Sequence, residues 1–135
     1  MMGCGHAFIG TLAGALAGSR AKALIAGLVS HAVCDIVPHS EVRPELDLVL
    51  TGAALGGIAA GFGARSPEFW GALGAVLPDA EHGLVLAGVR EERGCIFPTH
   101  NGRLPHGRNG GYVWQAAAAA AAVTLAAVLR LRRGL

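Results

Sequence analysis

Residues 30–41 read SHAVCDIVPHSE, and the number of helices in the protein turns on how Asp35 is taken. The apolar run before it, residues 23–34, has 12 residues, too few to cross a hydrocarbon layer that needs about 20 residues of helix. Read through the aspartate to residue 40, the run becomes a further helix with an ionisable group set deep within it. Such a group costs about 2.5–3.5 kcal/mol or more at the centre of a bilayer unless it is partnered, so it marks a functional site. The same reading through Asp79 lengthens residues 69–78 to about residue 89. Three other segments, residues 1–19, 48–64 and 110–129, carry no Lys, Arg, Asp or Glu and span without such an extension. The sequence therefore predicts an all-α fold. It is an integral membrane bundle of about five short helices, one domain over residues 1–135, with a polar loop at about residues 90–111.

Composition supports that reading. Of 135 residues, 53% are hydrophobic and 15% charged, and 21 are glycine. Each interior glycine costs a soluble helix about 1 kcal/mol relative to alanine, whereas in lipid small residues let helix backbones approach closely. Gly10, Gly14 and Gly18 recur every four residues, as do Gly52 with Gly56 and Gly57 with Gly61. These stripes also leave a homo-oligomer open. A net charge of +2, with no basic run interleaved with aromatics, argues against a nucleic-acid partner. Cys4, Cys34 and Cys95 form neither a C-x-x-C pair nor an even framework, and leave the redox compartment open. Without a basic stretch ahead of it, the first segment reads as a helix rather than a signal peptide.

Threading five helices sorts the charges by side. Arg20, Lys22, Arg65, Arg130, Arg132 and Arg133 fall at one end with Glu68, while the remaining acids, Arg108 among the remaining bases, and all six histidines fall at the other. The positive-inside rule then puts the histidine end on the extracytoplasmic side of the cell membrane.

Residues four apart on a helix share a face with Cβ atoms about 6 Å apart, so His31 and Asp35 can reach one ion; the same spacing serves a plain intrahelical hydrogen bond. Pro38 disfavours helical geometry at Val37, which ends the helix and presents His39 from the following turn. In LPDAEH, residues 77–82, Pro78 suits the first turn of a helix and Asp79 shares a face with His82. Alone, that motif is also an ordinary helix start. His100 and His106 lie in the polar loop and His6 just ahead of the first helix. Every histidine thus sits near a proposed helix end, and the threading gathers those ends. The candidate metal ligands are His6, His31, Asp35, His39, Asp79, His82, His100 and His106. Mixed imidazole and carboxylate donors suit zinc, as one or two ions, with manganese or iron less favoured. Glu81 is the candidate general base for an activated water. No G-x-S-x-G, G-x-x-x-x-G-K-[ST] or H-E-x-x-H motif is present, and Cys34 reads as packing.

Four short motifs, GHAF at residues 5–8, SHAVCD at 30–35, LPDAEH at 77–82 and PTHNG at 98–102, together resemble the small bacterial membrane-bound metal-dependent hydrolases. That family is distantly similar to zinc-dependent phospholipases C. The resemblance implies His6, His31, Asp35, Asp79, His82 and His100 as the metal-binding set; His39 and His106 have no counterpart in its pattern. Two departures are the order of motifs, with H-x-x-x-D preceding Leu-Pro-Asp, and a shorter chain. The expected protein is a multi-pass membrane hydrolase acting on a phosphodiester or other ester bond, in a lipid or small molecule. The alternatives are a non-enzymatic membrane protein that binds or transports a metal, and a helical protein whose polar motifs are caps.

Overall fold

A computed structural model describes residues 1–107 and 110–134; Arg108, one of the bases sorted above, lies outside the described residues. The elements are α1 (Gly3–Ala17), α2 (Arg20–Ile36), α3 (Pro44–Phe62), α4 (Pro67–Leu86), a 3-10 turn (Glu92–Gly94) and α5 (Tyr112–Arg132). No strand occurs among the described residues. The all-α, five-helix expectation holds.

Local sequence sets most of the boundaries. Proline opens both α3 and α4, where its missing N–H is no loss, and Ser66 Oγ accepts the Phe69 N–H at 3.1 Å to cap α4. Gly18 closes α1 in the left-handed conformation at φ 73°, which glycine adopts without a Cβ penalty. Ahead of Pro38, Val37 is extended (φ −73°, ψ 138°) and α2 stops at Ile36, as expected.

Three expectations need correction. His6 lies within the first turn and a half of α1, not ahead of it. Pro78 lies inside α4, not in its first turn. The helix already has its start at Ser66–Pro67, and tertiary contact supports the weakened turn: the Gly74 backbone, whose carbonyl loses its N–H partner to Pro78, lies against the backbone of Leu24. The first uncharged segment also yields a helix of only 15 residues, about 22 Å long and too short to span alone. It occupies the centre instead, packing against all four other helices. By length and composition, α3 and α5 are apolar enough to cross a membrane.

The tightest packing is a seam of α1, α4 and α2. Gly10 and Gly14 meet Gly71 and the Pro67 carbonyl, and Gly27 meets the Gly71 carbonyl, so closely that a Cβ at any of them would overlap backbone. By contrast Gly52, Gly56, Gly57 and Gly61 of α3 face open space. Side chains are sorted unusually across this frame. Ala7, Ala15, Ala23, Ala72 and Ala75 are fully buried, together with His6, Thr11, His31, Asp35 and Gln115. Large aliphatics such as Ile25, Val29, Val49, Leu125 and Leu131 point outward.

The helices alternate in direction, giving the bundle two unlike ends. At one, Arg133 donates to the Ala15 carbonyl at 2.6 Å, and Arg130 lies 3.7 Å from the buried Glu68 and over the Phe62 ring. At the other, the Gly3 N–H donates to Asp47 at 2.9 Å, and the start of α1, the end of α2 and the second half of α4 converge.

Candidate metal centre

Asp35, on the last turn of α2 and 1% exposed, is the hub of that second end. His6 Nε2 from α1 lies 3.1 Å from its Oδ1. Around Oδ2 stand His31 Nε2 at 3.0 Å, His100 Nε2 at 3.5 Å and His106 Nδ1 at 3.7 Å. Thr99 Oγ1 donates to the same oxygen at 2.7 Å. Asp79 Oδ1 completes the group, 3.8 Å from His31 Nε2 and 3.9 Å from His100 Nε2.

Proton positions decide what this cluster can bind. His31 Nδ1 lies 2.6 Å from the Ala75 carbonyl, which can only accept, so the ring proton sits on Nδ1 and Nε2 offers a lone pair. A backbone carbonyl fixing the outward nitrogen is the usual support for a metal-ligating histidine. That lone pair faces His100 Nε2 at 3.3 Å. His31 Nε2, His100 Nε2 and Asp35 Oδ2 are then mutually 3.0, 3.3 and 3.5 Å apart. Ligands about 2.0–2.1 Å from a tetrahedral ion are separated by about 3.3–3.4 Å. Although His6 Nε2 lies 3.1 Å from Asp35 Oδ1, it is buried without an aligned hydrogen bond, a costly state that a shared cation relieves. The residues fit a divalent ion.

The surroundings hold the donors in place. Two loop amides, Ile96 at 2.7 Å and Phe97 at 3.0 Å, donate to the Glu81 carboxylate, which also pairs with Arg90 at 2.9 Å. The carboxylate of Glu81, the expected base, thus anchors the loop segment that carries Thr99 and His100. Asn101 Nδ2 donates to the Cys95 carbonyl at 2.9 Å. Further on, Gly107 N–H donates to the Asp35 carbonyl at 2.6 Å and Gly110 N–H to the His39 carbonyl at 3.1 Å. A Cβ at either position would overlap the backbone of Val37 or Pro38, which glycine avoids. Tyr112 Oη donates to the Glu41 carbonyl at 2.8 Å.

His39 and His106 are brought together beside this hub, with their Nε2 atoms 3.1 Å apart. Glu41 joins them, 3.0 Å from His106 and 3.3 Å from His39. The hydrogen bond with His106 holds the Glu41 carboxyl down to about 2, against partial burial. Burial pushes the His39 imidazole below its ordinary value. His82 is exposed, with its ring 5.4 Å from that of His100, and stands beside the cluster rather than within it. Sequence reasoning missed Glu41 and Thr99: both lie within quoted motifs, but nothing in their spacing marked them.

An open cleft of about 1520 Å³ reaches the cluster, lined by Asp35, Asp79, His100 and His106 at one side and by Leu48, Leu86 and Leu104 elsewhere. Compared with protein-family models, curated proteins and solved structures, the chain finds no match, so fold and site stand on the geometry and on the motifs themselves.

Proposed function

We propose that the protein is an integral membrane, metal-dependent hydrolase that cleaves a phosphodiester or other ester bond of an amphiphile. The observation that carries this reading is the gathering of His6, His31, His100 and His106 within 3.7 Å of one buried carboxylate, Asp35. Three segments distant in sequence, α1, α2 and the loop before α5, supply these groups, and an interior of alanine gives no other reason to bury them.

The bilayer assignment follows from the outward aliphatics and inward small and polar residues, an arrangement suited to lipid outside and helix contact inside. With α3 and α5 spanning, the shorter α1 is shielded by its neighbours. The histidine end is then at one membrane face, and the arginines at the other favour the cytoplasmic side.

His31, His100 and Asp35 would hold the ion, with Asp79 and His6 completing the set. A zinc-class ion held there would supply Lewis acidity and would bring the pKa of a water to about 7. Ala75 keeps the His31 lone pair aimed inward, Thr99 orients Asp35, and Glu81 holds the loop that carries His100. Leu48, Leu86 and Leu104 accept an apolar chain in the cleft, leaving its polar bond beside Asp79. Hydrolysis adds water across that bond and releases an alcohol and an acid.

Purified protein in detergent, assayed on phosphodiester and carboxyl-ester amphiphiles before and after chelation, tests the reading. Turnover that chelation removes and zinc restores supports it. Metal-dependent flux into vesicles without turnover favours a carrier instead. All the candidate ligand groups among the described residues lie at one end, which disfavours a transmembrane path.

A further inference from the structure

Beside the Asp35 hub stands a second set of donors that comes from turns rather than helix interiors. His39 and Glu41 lie between α2 and α3, and His106 lies in the loop before α5. His39 Nε2 and His106 Nε2 are 3.1 Å apart, and Glu41 Oε1 is 3.0 Å from the second and 3.3 Å from the first. Three atoms on three side chains form a nearly equilateral triangle. Its edges approach those of one tetrahedral face around a zinc-class ion, about 3.3–3.4 Å.

Hydrogen bonds among the three leave the triangle incomplete. His39 Nδ1 lies 2.8 Å from the Val37 carbonyl, so its ring proton is on Nδ1 and its Nε2 is an acceptor. Glu41 Oε1 is an acceptor as well. A neutral His106 has one proton; placed on Nε2, it satisfies one neighbour and leaves His39 and Glu41 facing each other lone pair to lone pair. A cation at the centre satisfies all three atoms. It also moves the His106 proton to Nδ1, which lies 3.7 Å from Asp35 Oδ2.

The burial pattern gives the triangle a closed back and an open front. The His39 side chain is fully buried, while Glu41 and His106 are 60% and 27% exposed and line the cleft. Coordination positions therefore remain open toward a substrate.

We propose that His39 Nε2, His106 Nε2 and Glu41 Oε1 hold a second divalent cation of the zinc class, coupled to the Asp35 centre through the His106 ring. The proposal rests on the hydrolase reading for its catalytic meaning but not for its metal count. Two cations flanking a cleft are a recognised arrangement for stabilising both the attacking and the leaving oxygen of a displacement.

The test is metal stoichiometry on full-length protein, stripped by chelation and titrated with zinc or cobalt(II) in detergent. The native protein is expected to take up about two equivalents, and Glu41→Gln and His39→Asn about one each, with Asp79→Asn weakening the other ion. Cobalt(II) absorption should show two tetrahedral sites in the native protein and one in Glu41→Gln. Because Glu41 is exposed, its variant keeps the fold and carries the test even if His39→Asn does not. Native stoichiometry of one, or two equivalents retained in Glu41→Gln, overturns this proposal and leaves the hydrolase reading standing. Zero equivalents overturns both.

Discussion

Two helices of this chain, α1 and α3, carry glycine at four-residue spacing, and they do opposite things with it. In the seam of α1, α4 and α2 the glycines are where backbones touch: Gly10, Gly14, Gly27, Gly71 and Gly74 leave no room for a Cβ. In α3 the glycines at 52, 56, 57 and 61 touch nothing within 4 Å. The pattern is the same, so the pattern alone does not specify contact; a facing helix must supply a matching gap. The seam also carries the buried donors, since His6, His31, Asp35 and Asp79 all sit on its three helices. The more peripheral turns and loop add His39, Glu41, Thr99 and His100. The protein thus has a rigid half that fixes ligands by close packing and a peripheral half that fixes them by hydrogen bonds.

The widest separation between the halves is expected from glycine substitutions. Gly71→Val forces backbone apart at α1 and α2 and should cost more than about 3 kcal/mol, read as loss of the monodisperse peak and the thermal transition in detergent. Gly56→Val should stay within about 0.5 kcal/mol. Equal damage from both would show that α3 is packed in the membrane against another chain. Next in size is Asp35→Asn, which keeps shape but removes the charge at the hub; metal affinity should fall by at least about 100-fold, measured by competition with a chelating dye.

Chelation of the native protein comes third. An ion at 100 times its dissociation constant stabilises by about 2.7 kcal/mol, so stripping should lower the melting temperature, and zinc should restore it. An unchanged melting curve would leave the polar motifs as helix caps. Thr99→Val, in the peripheral half, removes only a donor to Asp35, and about a 10-fold loss of affinity is expected. The smallest effect separates two roles for Glu81. As an anchor, Glu81→Gln should weaken metal binding a few-fold, through the loop, and leave the shape of the pH–rate profile intact, whereas loss of a general base would remove a limb of that profile.

Much of this was legible in the chain because the costly residues are few and their positions are constrained. Reading through Asp35 and Asp79 gave five helices, and Pro38 fixed the end of α2. The convergence of the histidines followed from their places near helix ends. Other features were hidden for physical reasons. Gly71 and Gly74, which meet Gly10, Gly14 and α2, stand three apart and belong to no stripe; contact is a property of two helices, whereas periodicity belongs to one. Glu81 was expected as a base, and the loop amides its oxygens accept from do not show in its local motif because they lie fifteen residues or more away. Thr99 meets Asp35, and Glu41 meets His106, across 64 and 65 residues of chain. Pro78 resembled a helix start because the strength of α4's own cap, a dozen residues earlier, does not show in the local motif.

The bond from His31 to the Ala75 carbonyl has one more implication. The group that selects the tautomer of this imidazole is main chain, so replacing the side chain at position 75 does not delete it. What can disturb it is the path of α4 around Pro78, three residues on. A chemist wishing to retune the electron-donating power of that ring without touching any donor would therefore work on the proline, exchanging it for alanine so that the Gly74 carbonyl regains an N–H partner and the turn presenting the Ala75 carbonyl is reset.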